Sequence, residues 1–447
     1  MKKRIISSLL AVAMITTMVS GCGNKAVETT GRNADGQLEG EITFWHSFTQ
    51  GPRLENIQKA ADKFMEEHEK VNIKIKTFSW NDFYLKWTTG LASGNVPDMS
   101  TGLPGQVAEM INAEALLPIN DLIDDIGRDK FSAKALEEGT VDGNEYSIPL
   151  YSHAQVMWIR KDLLEENNLS VPKTWDEFYN TAKALTKDGI YGCSFPSGST
   201  DFQATNFLNF YVKSGGGSLL KSVDGKLQAD LTSPLAIDGI NFWLKVYRDC
   251  SPKDSISYDV LKQATLYYQG KTAFDFNSGF QISGVATNSP DLLQYVDAYP
   301  IPKINENDPD YGITTANQPM VIWKNTKYPE ICKEFMKTLY EEDAYINFLH
   351  ATPVGMLPAI SGIADTEAYK SNEIVKQFAH AEEVISNAVE SGTAIGFEHG
   401  PNIEAGIMTS QHLIEGMFQD IITNGTDVMT AAKATEDGLN DLFNAAR

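Results

Sequence analysis

Cys22 is the residue whose sequence context points most clearly to a chemical modification. It closes the tetrapeptide Val19–Cys22, in which small residues precede the cysteine. The basic residues of 2–4 and an apolar run over 5–19 come before it. This order is typical of a secretory signal that is cleaved before a cysteine, whose sulfur then carries lipid. We therefore expect residues 1–21 to be removed and the body to lie outside the cytoplasmic membrane, anchored to its outer face.

Motifs for catalysis are absent from the sequence. Gly270–Thr272 resembles the end of a phosphate-binding loop, but the glycine required five residues earlier is Thr265. Neither a His-Glu-x-x-His nor a Gly-x-Ser-x-Gly motif occurs, and the seven histidines have no metal-ligand spacing. We expect no metal, no cofactor and no enzyme. A secreted glycoside hydrolase stays an alternative, because its two carboxylates leave no local motif.

Charge and length limit the partners and the architecture. The chain has 447 residues and a formal net charge of −22. Such a surface repels nucleic acid and anionic lipid headgroups, so we expect no nucleic-acid partner and a neutral or cationic ligand. A chain of this length is too long to fold around one simple core, so we expect two lobes.

Three cysteines remain after Cys22, namely Cys193, Cys250 and Cys332. Their number is odd and they are widely spaced, and no Cys-x-x-Cys motif occurs. A disulfide between Cys193 and Cys250 is one interpretation. The preferred interpretation is that all three are buried thiols, because a chain this long needs no disulfide for stability.

Helical and strand patterns alternate along the chain. Residues 42–45 and 71–75 read as strands, and residues 54–65 and 82–93 as helices, which predicts an α/β fold with a largely parallel sheet. Further on, Thr174 and Glu177 form a capping box that begins a helix. The remaining patterns predict one long helix over 329–349 and two closing helices, around 403–422 and 428–443.

Several segments, in the same order along almost the whole mature chain, match one family. They are Ile42–Phe48, Ala92–Asp98, Tyr146–Pro149, Trp158–Leu163, Val171–Phe178, Tyr268–Phe274, Ser278–Phe280 and Pro353–Pro358. With these segments the chain resembles the extracellular solute-binding proteins of the carbohydrate class, the receptor subunits of ABC importers. The resemblance implies a type II periplasmic-binding-protein fold, in which two α/β lobes are joined by hinge strands and close on a ligand.

The resemblance also implies a division of the chain and a function. Residues 41–152 with 314–352 would form one lobe, 153–313 with 353–447 the other, and 22–40 a flexible tether. The expected protein is a monomer that captures a carbohydrate, an oligosaccharide, and delivers it to the permease subunits. A receptor of the same fold for a non-sugar solute, or one serving a sensor, is the alternative.

A sugar site needs aromatic rings for the C–H faces and planar polar side chains for the hydroxyls. The carboxyl ends of strands face the ligand in α/β sheets, which points to the residues after the first strand. Where relatives carry a ligand-contacting acid or a stacking Trp, this chain has His153 and Phe280. By the resemblance, the expected ligand-binding residues are His46, Phe48, Tyr151, His153, Gln155, Phe202, Asn206, Asn277, Phe280, Gln318 and Met356. Trp243 is instead expected in a core.

Replacing Cys22 by alanine should release the folded protein from the membrane, because the lipid depends on this one sulfur. Fractionation of cells that express Cys22→Ala or the unchanged chain measures this. The variant is expected in the soluble fraction with an unchanged melting temperature. A variant that stays in the membrane pellet after detergent-free washing would refute lipidation.

Overall fold

The computed structural model describes residues 30–49 and 51–447. The predicted signal segment 1–21 and Cys22 lie outside the described residues. Within these ranges the strands are β1 (Gly40–His46), β2 (Val71–Thr77), β3 (Met99–Thr101), β4 (Thr140–Val141), β5 (Asn144–Glu145), β6 (Ile148–Ala154), β7 (Val156–Arg160), β8 (Leu220–Val223), β9 (Lys226–Ala229), β10 (Phe274–Asn277), β11 (Val296–Tyr299), β12 (Thr315–Ile322) and β13 (Leu357–Pro358).

The helices outnumber the strands and cover both faces of the sheets. They are α1 (Gly51–Glu67), α2 (Trp80–Ser93), α3 (Pro104–Asn112), α4 (Asn120–Ile126), α5 (Ala133–Glu137), α6 (Lys161–Glu166), α7 (Trp175–Leu185), α8 (Gln203–Ser214), α9 (Pro234–Cys250), α10 (Val260–Tyr268), α11 (Phe280–Asn288), α12 (Pro329–Thr338), α13 (Glu342–Leu349), α14 (Glu367–Lys370), α15 (Glu373–Gln377), α16 (Ala379–Ser391), α17 (Ile403–Ser410), α18 (Leu413–Asn424) and α19 (Val428–Ala446). None of the helices described is long and apolar enough to cross a membrane.

Two main sheets organise the chain. The larger has the order β13-β6-β12-β3-β1-β2, and the smaller has the order β10-β7-β11. β1 pairs in parallel with β2 and β3, whereas β12 pairs antiparallel with β3 and β6. All pairs of the smaller sheet are antiparallel. The expectation of a largely parallel sheet is therefore wrong, because only the first three strands are joined by helical crossovers of the βαβ kind.

The chain passes from one sheet to the other through a single residue, Gln155, which separates β6 from β7. The Gln155 N–H donates to the carbonyl of Thr314 at 3.0 Å, just before β12 begins. The Thr315 hydroxyl donates to the His153 carbonyl at 3.0 Å. The two passages between the sheets are thus hydrogen-bonded to each other.

A dense aromatic core lies behind the smaller sheet. The Trp243 side chain is fully buried, its ring stacks on Phe195 at 5.7 Å, and its Nε1–H donates to the Phe207 carbonyl at 2.6 Å. This confirms the prediction that Trp243 is a core residue. The capping box of Thr174 and Glu177 at the start of α7 is also confirmed.

Cys193, Cys250 and Cys332 are buried free thiols, as predicted. Burial raises the pKa of the Cys250 thiol to about 12, so this sulfur stays protonated and unreactive at neutral pH. The Cys193 N–H donates to the Cys250 carbonyl at 3.3 Å, so the two segments are joined by backbone contact.

The predicted helix over 329–349 is interrupted after Thr338. The strand that faces this break is β6, whose pairing with β12 shifts register between Gln318 and Pro319. Tyr340 donates its hydroxyl to the Pro149 carbonyl at 2.8 Å, and Tyr345 donates to the Leu150 carbonyl at 2.7 Å. Tyr340 and Tyr345 are five residues apart, which corresponds to about 140° around one continuous helix. On such a helix the two side chains would point in different directions, so both reach β6 only because the helix is broken.

The predicted helix over 403–422 is likewise two helices, α17 and α18. His412 lies between them with φ of 54°, a left-handed conformation that ends helical hydrogen bonding.

Two features of the structure bear on the expected division of the chain. The described part of the predicted tether, from Thr30 on, packs against α12: the Glu330 N–H donates to the Thr30 carbonyl at 3.1 Å, and Leu38 is buried in the core. Helix α16, assigned to the second lobe only, packs against β6 and β12 of the larger sheet and against β7 and β11 of the smaller. It therefore spans the two sheets.

A buried carboxyl joins α8 to α18 and makes stability depend on pH. Glu415 Oε1 accepts hydrogen bonds from the N–H and the hydroxyl of Thr205, both at 2.9 Å, and Oε2 is buried without a partner. Burial raises the pKa of Glu415 to about 7, against the opposing effect of the Thr205 hydrogen bonds. The folded state therefore holds this proton at a pH where the unfolded chain has lost it.

Replacing Glu415 by glutamine should remove part of this pH dependence. In the unchanged protein, the free energy of unfolding should fall as pH rises from about 4.5 to 7, with about 1–3 kcal/mol contributed by Glu415. Denaturant unfolding at several pH values measures the difference. Glu373→Gln, at an exposed position, is the matched control and should keep the full slope. An equal slope in Glu415→Gln would contradict the assignment.

Candidate functional site

A cavity of about 230 Å³ lies between elements of the two sheets. Its walls are formed by α2, the β3–α3 turn, the start of α8, the start of α10, the residues entering β12, and α17. The lining residues are Tyr84, Leu103, Pro104, Gly105, Gln106, Thr200, Asp201, Phe202, Gln203, Val260, Thr314, Thr315, Ala394, Ile395, Ala405, Thr409, Ser410 and His412.

Local sequence fixes one wall of the cavity at the carboxyl end of β3. Pro104 begins α3, a position at which its fixed φ is favourable and its missing N–H is not needed. The Gln106 side-chain oxygen accepts the N–H of Leu103 at 3.2 Å, which closes the turn. Leu103 is thereby presented to the cavity.

Asp201 fixes the opposite wall. Its Oδ1 accepts the N–H of Gln203 at 3.2 Å, and its Oδ2 accepts the N–H of Val260 at 2.7 Å. One carboxylate thus ties the start of α8 to the start of α10, with Phe202 between them at the cavity. Burial raises the pKa of Asp201 to about 7, while the two backbone hydrogen bonds lower it.

Five of the predicted ligand-binding residues form one group of rings, which we call the His–Phe cluster: His46, Phe48, Tyr151, His153 and Phe280. Ring centroids are 5.1 Å apart for His46 and Phe48, and 6.3 Å for Phe48 and Tyr151. They are 6.2 Å apart for Tyr151 and His153, and 6.1 Å for His153 and Phe280. The cluster joins β1 and β6 of the larger sheet to α11 beside the smaller one.

Gln318 connects the His–Phe cluster to the cavity. The Tyr151 hydroxyl donates to Gln318 Oε1 at 3.2 Å, and Gln318 Nε2 donates to the Gly102 carbonyl at 2.5 Å. Gly102 precedes Leu103 in the cavity wall. These hydrogen bonds link the cluster to the cavity wall, although none of the cluster residues lines the cavity itself.

The two histidines of the cluster are neutral at physiological pH. Burial, together with the nearby Arg53 charge, lowers the pKa of His46 and of His153 to about 4. Neutral imidazole has one donor and one acceptor nitrogen, which suits hydroxyl groups of a ligand.

Two helices from opposite sides of the cavity, α3 and α17, lie in close contact. A Cβ at Gly406 would lie 2.5 Å from the Gly105 carbonyl oxygen, and a Cβ at Gly105 would lie 3.0 Å from the Gly406 Cα. Only glycine at both positions permits this approach. Beside it, burial raises the pKa of Glu109 to about 7, and the Tyr84 hydroxyl donates to that carboxyl at 2.9 Å.

The other predicted residues are placed apart from the His–Phe cluster. Phe202 lines the cavity, and Gln155 lies half-buried at the passage between the sheets. Asn206 is buried in α8, and Asn277 is buried beside Asp275, with Nδ2 donating to Oδ2 at 3.4 Å. Met356 is fully buried in the core of the larger sheet. His46, Phe48 and Tyr151 are buried to the same extent, so a ligand contact by Met356 stays a prediction.

Sequence reasoning missed the wall around Leu103 and Tyr84, and it missed Arg53. The rule that selected His46, the carboxyl end of a strand, applies equally to β3 and would have indicated Leu103. Tyr84 and Arg53 lie on helices, and the sequence pattern is equally consistent with both side chains facing solvent. Only the packing in the folded structure places them beside the site.

Comparison with known proteins identifies the family. A family model described as bacterial extracellular solute-binding protein matches residues 50–346. The diacetylchitobiose binding protein DasA of Streptomyces coelicolor is 23% identical over 374 residues, which cover 83% of this chain and 84% of that protein. The maltodextrin-binding protein MdxE of Bacillus subtilis is 22% identical over 338 residues, which cover 73% and 76%.

A solved structure shows the same fold. Maltose-bound MalE3 of T. maritima superimposes with a TM-score of 0.76 at 19% sequence identity, covering 90% of this chain and 99% of that one. The likeness confirms the predicted two-lobed, type II binding-protein fold. With the family match over most of its length, the chain belongs to the bacterial extracellular solute-binding proteins.

Proposed function

We propose that this protein captures a carbohydrate, an oligosaccharide, outside the cytoplasmic membrane and delivers it to the permease subunits of an ABC importer. The observation that carries the proposal is the cavity between the two sheets, adjoined by the His–Phe cluster. The region combines aromatic rings with neutral imidazole, amide and hydroxyl groups, which is the combination that sugar rings and their hydroxyls require.

The relatives support a ligand of more than one sugar unit. Relatives named for their ligands include a diacetylchitobiose binder, a maltotriose binder and a maltodextrin binder. One solved neighbour holds maltose, and others hold tagatose or ribitol. In this chain the cavity wall at Phe202 and the His–Phe cluster lie on successive parts of the same region. An extended ligand would contact both.

Closure of two lobes would enclose the ligand. We assign residues 41–152 with 314–352 to one lobe and 153–313 with most of 353–447 to the other, with α16 packed on both. Gln155 and the start of β12 are the passages at which the lobes would rotate. In such a motion, the tight contact of α3 with α17 at Gly105 and Gly406 would belong to the closed state. Ligand would enter when this contact opens.

The lipid on Cys22 would hold the monomeric receptor at the membrane surface, beside its transporter. Residues from Thr30 on are packed against α12, so the tether between lipid and body is shorter than the sequence pattern suggests.

This geometry does not favour the pair of catalytic carboxyl groups that a glycoside hydrolase needs. Asp201 is the only carboxylate among the described residues that line the cavity, and both of its oxygens accept backbone N–H groups. Glycoside hydrolysis requires two carboxyl groups on either side of the scissile bond. We therefore assign binding without catalysis.

A screen of glycans by thermal shift tests the proposed function. A bound oligosaccharide at a hundredfold excess over its Kd should stabilise the protein by about 2.7 kcal/mol through mass action. Amino acids, peptides and polyamines are the comparison ligands, and chromatography of the incubated sugar checks for hydrolysis. Stabilisation by one of these comparison ligands but by no sugar would sink the proposal, as would sugar cleavage.

Replacing Phe202 by alanine should weaken binding of the identified sugar by about 1–3 kcal/mol, the usual loss for a buried aromatic contact. Isothermal titration measures the affinity, and melting of the ligand-free protein should change little, because Phe202 is only partly buried. Tyr295→Ala, at an exposed position, is the matched control and should bind normally. Unchanged affinity in Phe202→Ala would remove this ring from the site.

A further inference from the structure

Arg53 differs from the other arginines of the described chain in its surroundings. Its guanidinium carbon lies 5.2 Å from the ring centre of Phe48 and 5.0 Å from that of Phe280. Among the described residues no carboxylate lies within salt-bridge distance of it. The remaining described arginines all contact a carboxylate: Arg32, Arg128, Arg160, Arg248 and Arg447. Arg53 is thus a cation held in place by rings rather than by an opposite charge.

Two imidazole nitrogens of the His–Phe cluster are buried without partners next to Arg53. His46 Nδ1 accepts the N–H of Phe48 at 3.1 Å, so Nε2 carries the proton of the neutral ring. Nε2 is buried and has no hydrogen-bond partner among the described residues, and the same holds for His153 Nδ1. The charge of Arg53 acts on both rings, which places them within its electrostatic reach. A buried donor without an acceptor is costly, and a ligand acceptor would remove that cost.

The buried carboxylate and the Gln318 amide of this region are already engaged, whereas the Ser47 hydroxyl and Gln281 Oε1 are buried without partners among the described residues. The Gln318 oxygen accepts the Tyr151 hydroxyl proton, and its nitrogen donates to the Gly102 carbonyl. Asp275, the buried acid on β10, accepts from the amide nitrogens of Gln263 and Gln281. The first turn of α1, from which Arg53 projects, contains no acidic residue, and its positive dipole end adds to the charge of Arg53.

The chemistry complementary to this arrangement is a carboxylate. Guanidinium presents its N–H groups in a planar fork that matches the two oxygens of a carboxylate, and Arg53 lies over the rings of Phe48 and Phe280 without a carboxylate of its own. The net charge of −22 repels anions at long range. A buried pair is screened far less than an exposed one, so the local contact determines affinity once the ligand has entered.

We propose that the part of the cleft beside Arg53 and His46 receives a carboxylate of the bound sugar, so that the ligand is an oligosaccharide containing a uronic acid. This inference rests on the proposed function and specifies the substrate class of the same site. It replaces the expectation of a neutral or cationic ligand drawn from the net charge.

Matched acidic and neutral disaccharides test the inference by isothermal titration of the purified protein. The pairs are digalacturonate with galactobiose, dimannuronate with mannobiose, and cellobiuronate with cellobiose. For at least one pair the acidic member should bind about 10–100-fold more tightly, the range expected for hydrogen bonds to a charged group. In Arg53→Met this preference, measured as the ratio of the two affinities, should disappear.

Two further variants complete the test. Arg53→Lys keeps the charge without the planar fork and should retain part of the preference. Arg248→Met, which removes an exposed arginine paired with Asp249, should retain all of it. If Arg53→Met fails to fold, as judged by its melting curve, the wild-type comparison of the pairs decides alone.

Equal affinity for both members of every pair would overturn the inference and leave the proposed function intact. So would an acidic preference that survives in Arg53→Met, or tighter binding of a sulfated disaccharide than of any uronate. Absence of binding by every sugar would overturn the proposed function together with this inference.

Discussion

A single residue, Gln155, separates the strand that belongs to the larger sheet from the strand that belongs to the smaller one. With so short a connection, the end of β6 in the larger sheet lies next to the start of β7 in the smaller one. The second passage, at the start of β12, is tied to the first by the bonds from Gln155 to Thr314 and from Thr315 to His153. The region between the sheets is therefore bounded on one side by a fixed pair of strands. Residues on these strands and on the turns that face them are the ones that can reach a ligand.

The polar groups of this region are of two kinds: acidic groups lie near the cavity, and hydrogen-bond donors lie near the His–Phe cluster. Near the cavity, buried carboxyls such as Glu109 and Asp201 have pKa values raised to about 7 and are engaged by hydroxyl or backbone donors. Beside the His–Phe cluster, His46 Nε2 is buried without a hydrogen-bond partner among the described residues, and Arg53 lies over Phe280 without a carboxylate partner. A ligand that lay along both parts would meet neutral, hydrogen-bonded surfaces at one end and unpaired donors at the other. This polarity would fix the direction in which an asymmetric oligosaccharide binds.

The sequence reveals local signals well and packing signals poorly. Thr174 and Glu177 predict the start of α7 because a capping box is complete within four residues. The break between α12 and α13 could not be predicted, since it depends on Tyr340 and Tyr345 reaching carbonyls almost two hundred residues earlier in the chain. The same distinction holds for the site. Motifs indicated the rings of the His–Phe cluster, whereas the position of Arg53 between two of them follows only from the folded structure.

The central claim is that one ligand is held between the two sheets by elements of both. A crystal structure of the protein with an oligosaccharide selected by affinity tests it most directly. The account predicts a sugar in contact with Leu103 on one side and Phe202 on the other, with α3 and α17 in contact at Gly105 and Gly406. A ligand bound to one lobe alone, or on the outer surface away from β6 and β12, would contradict it.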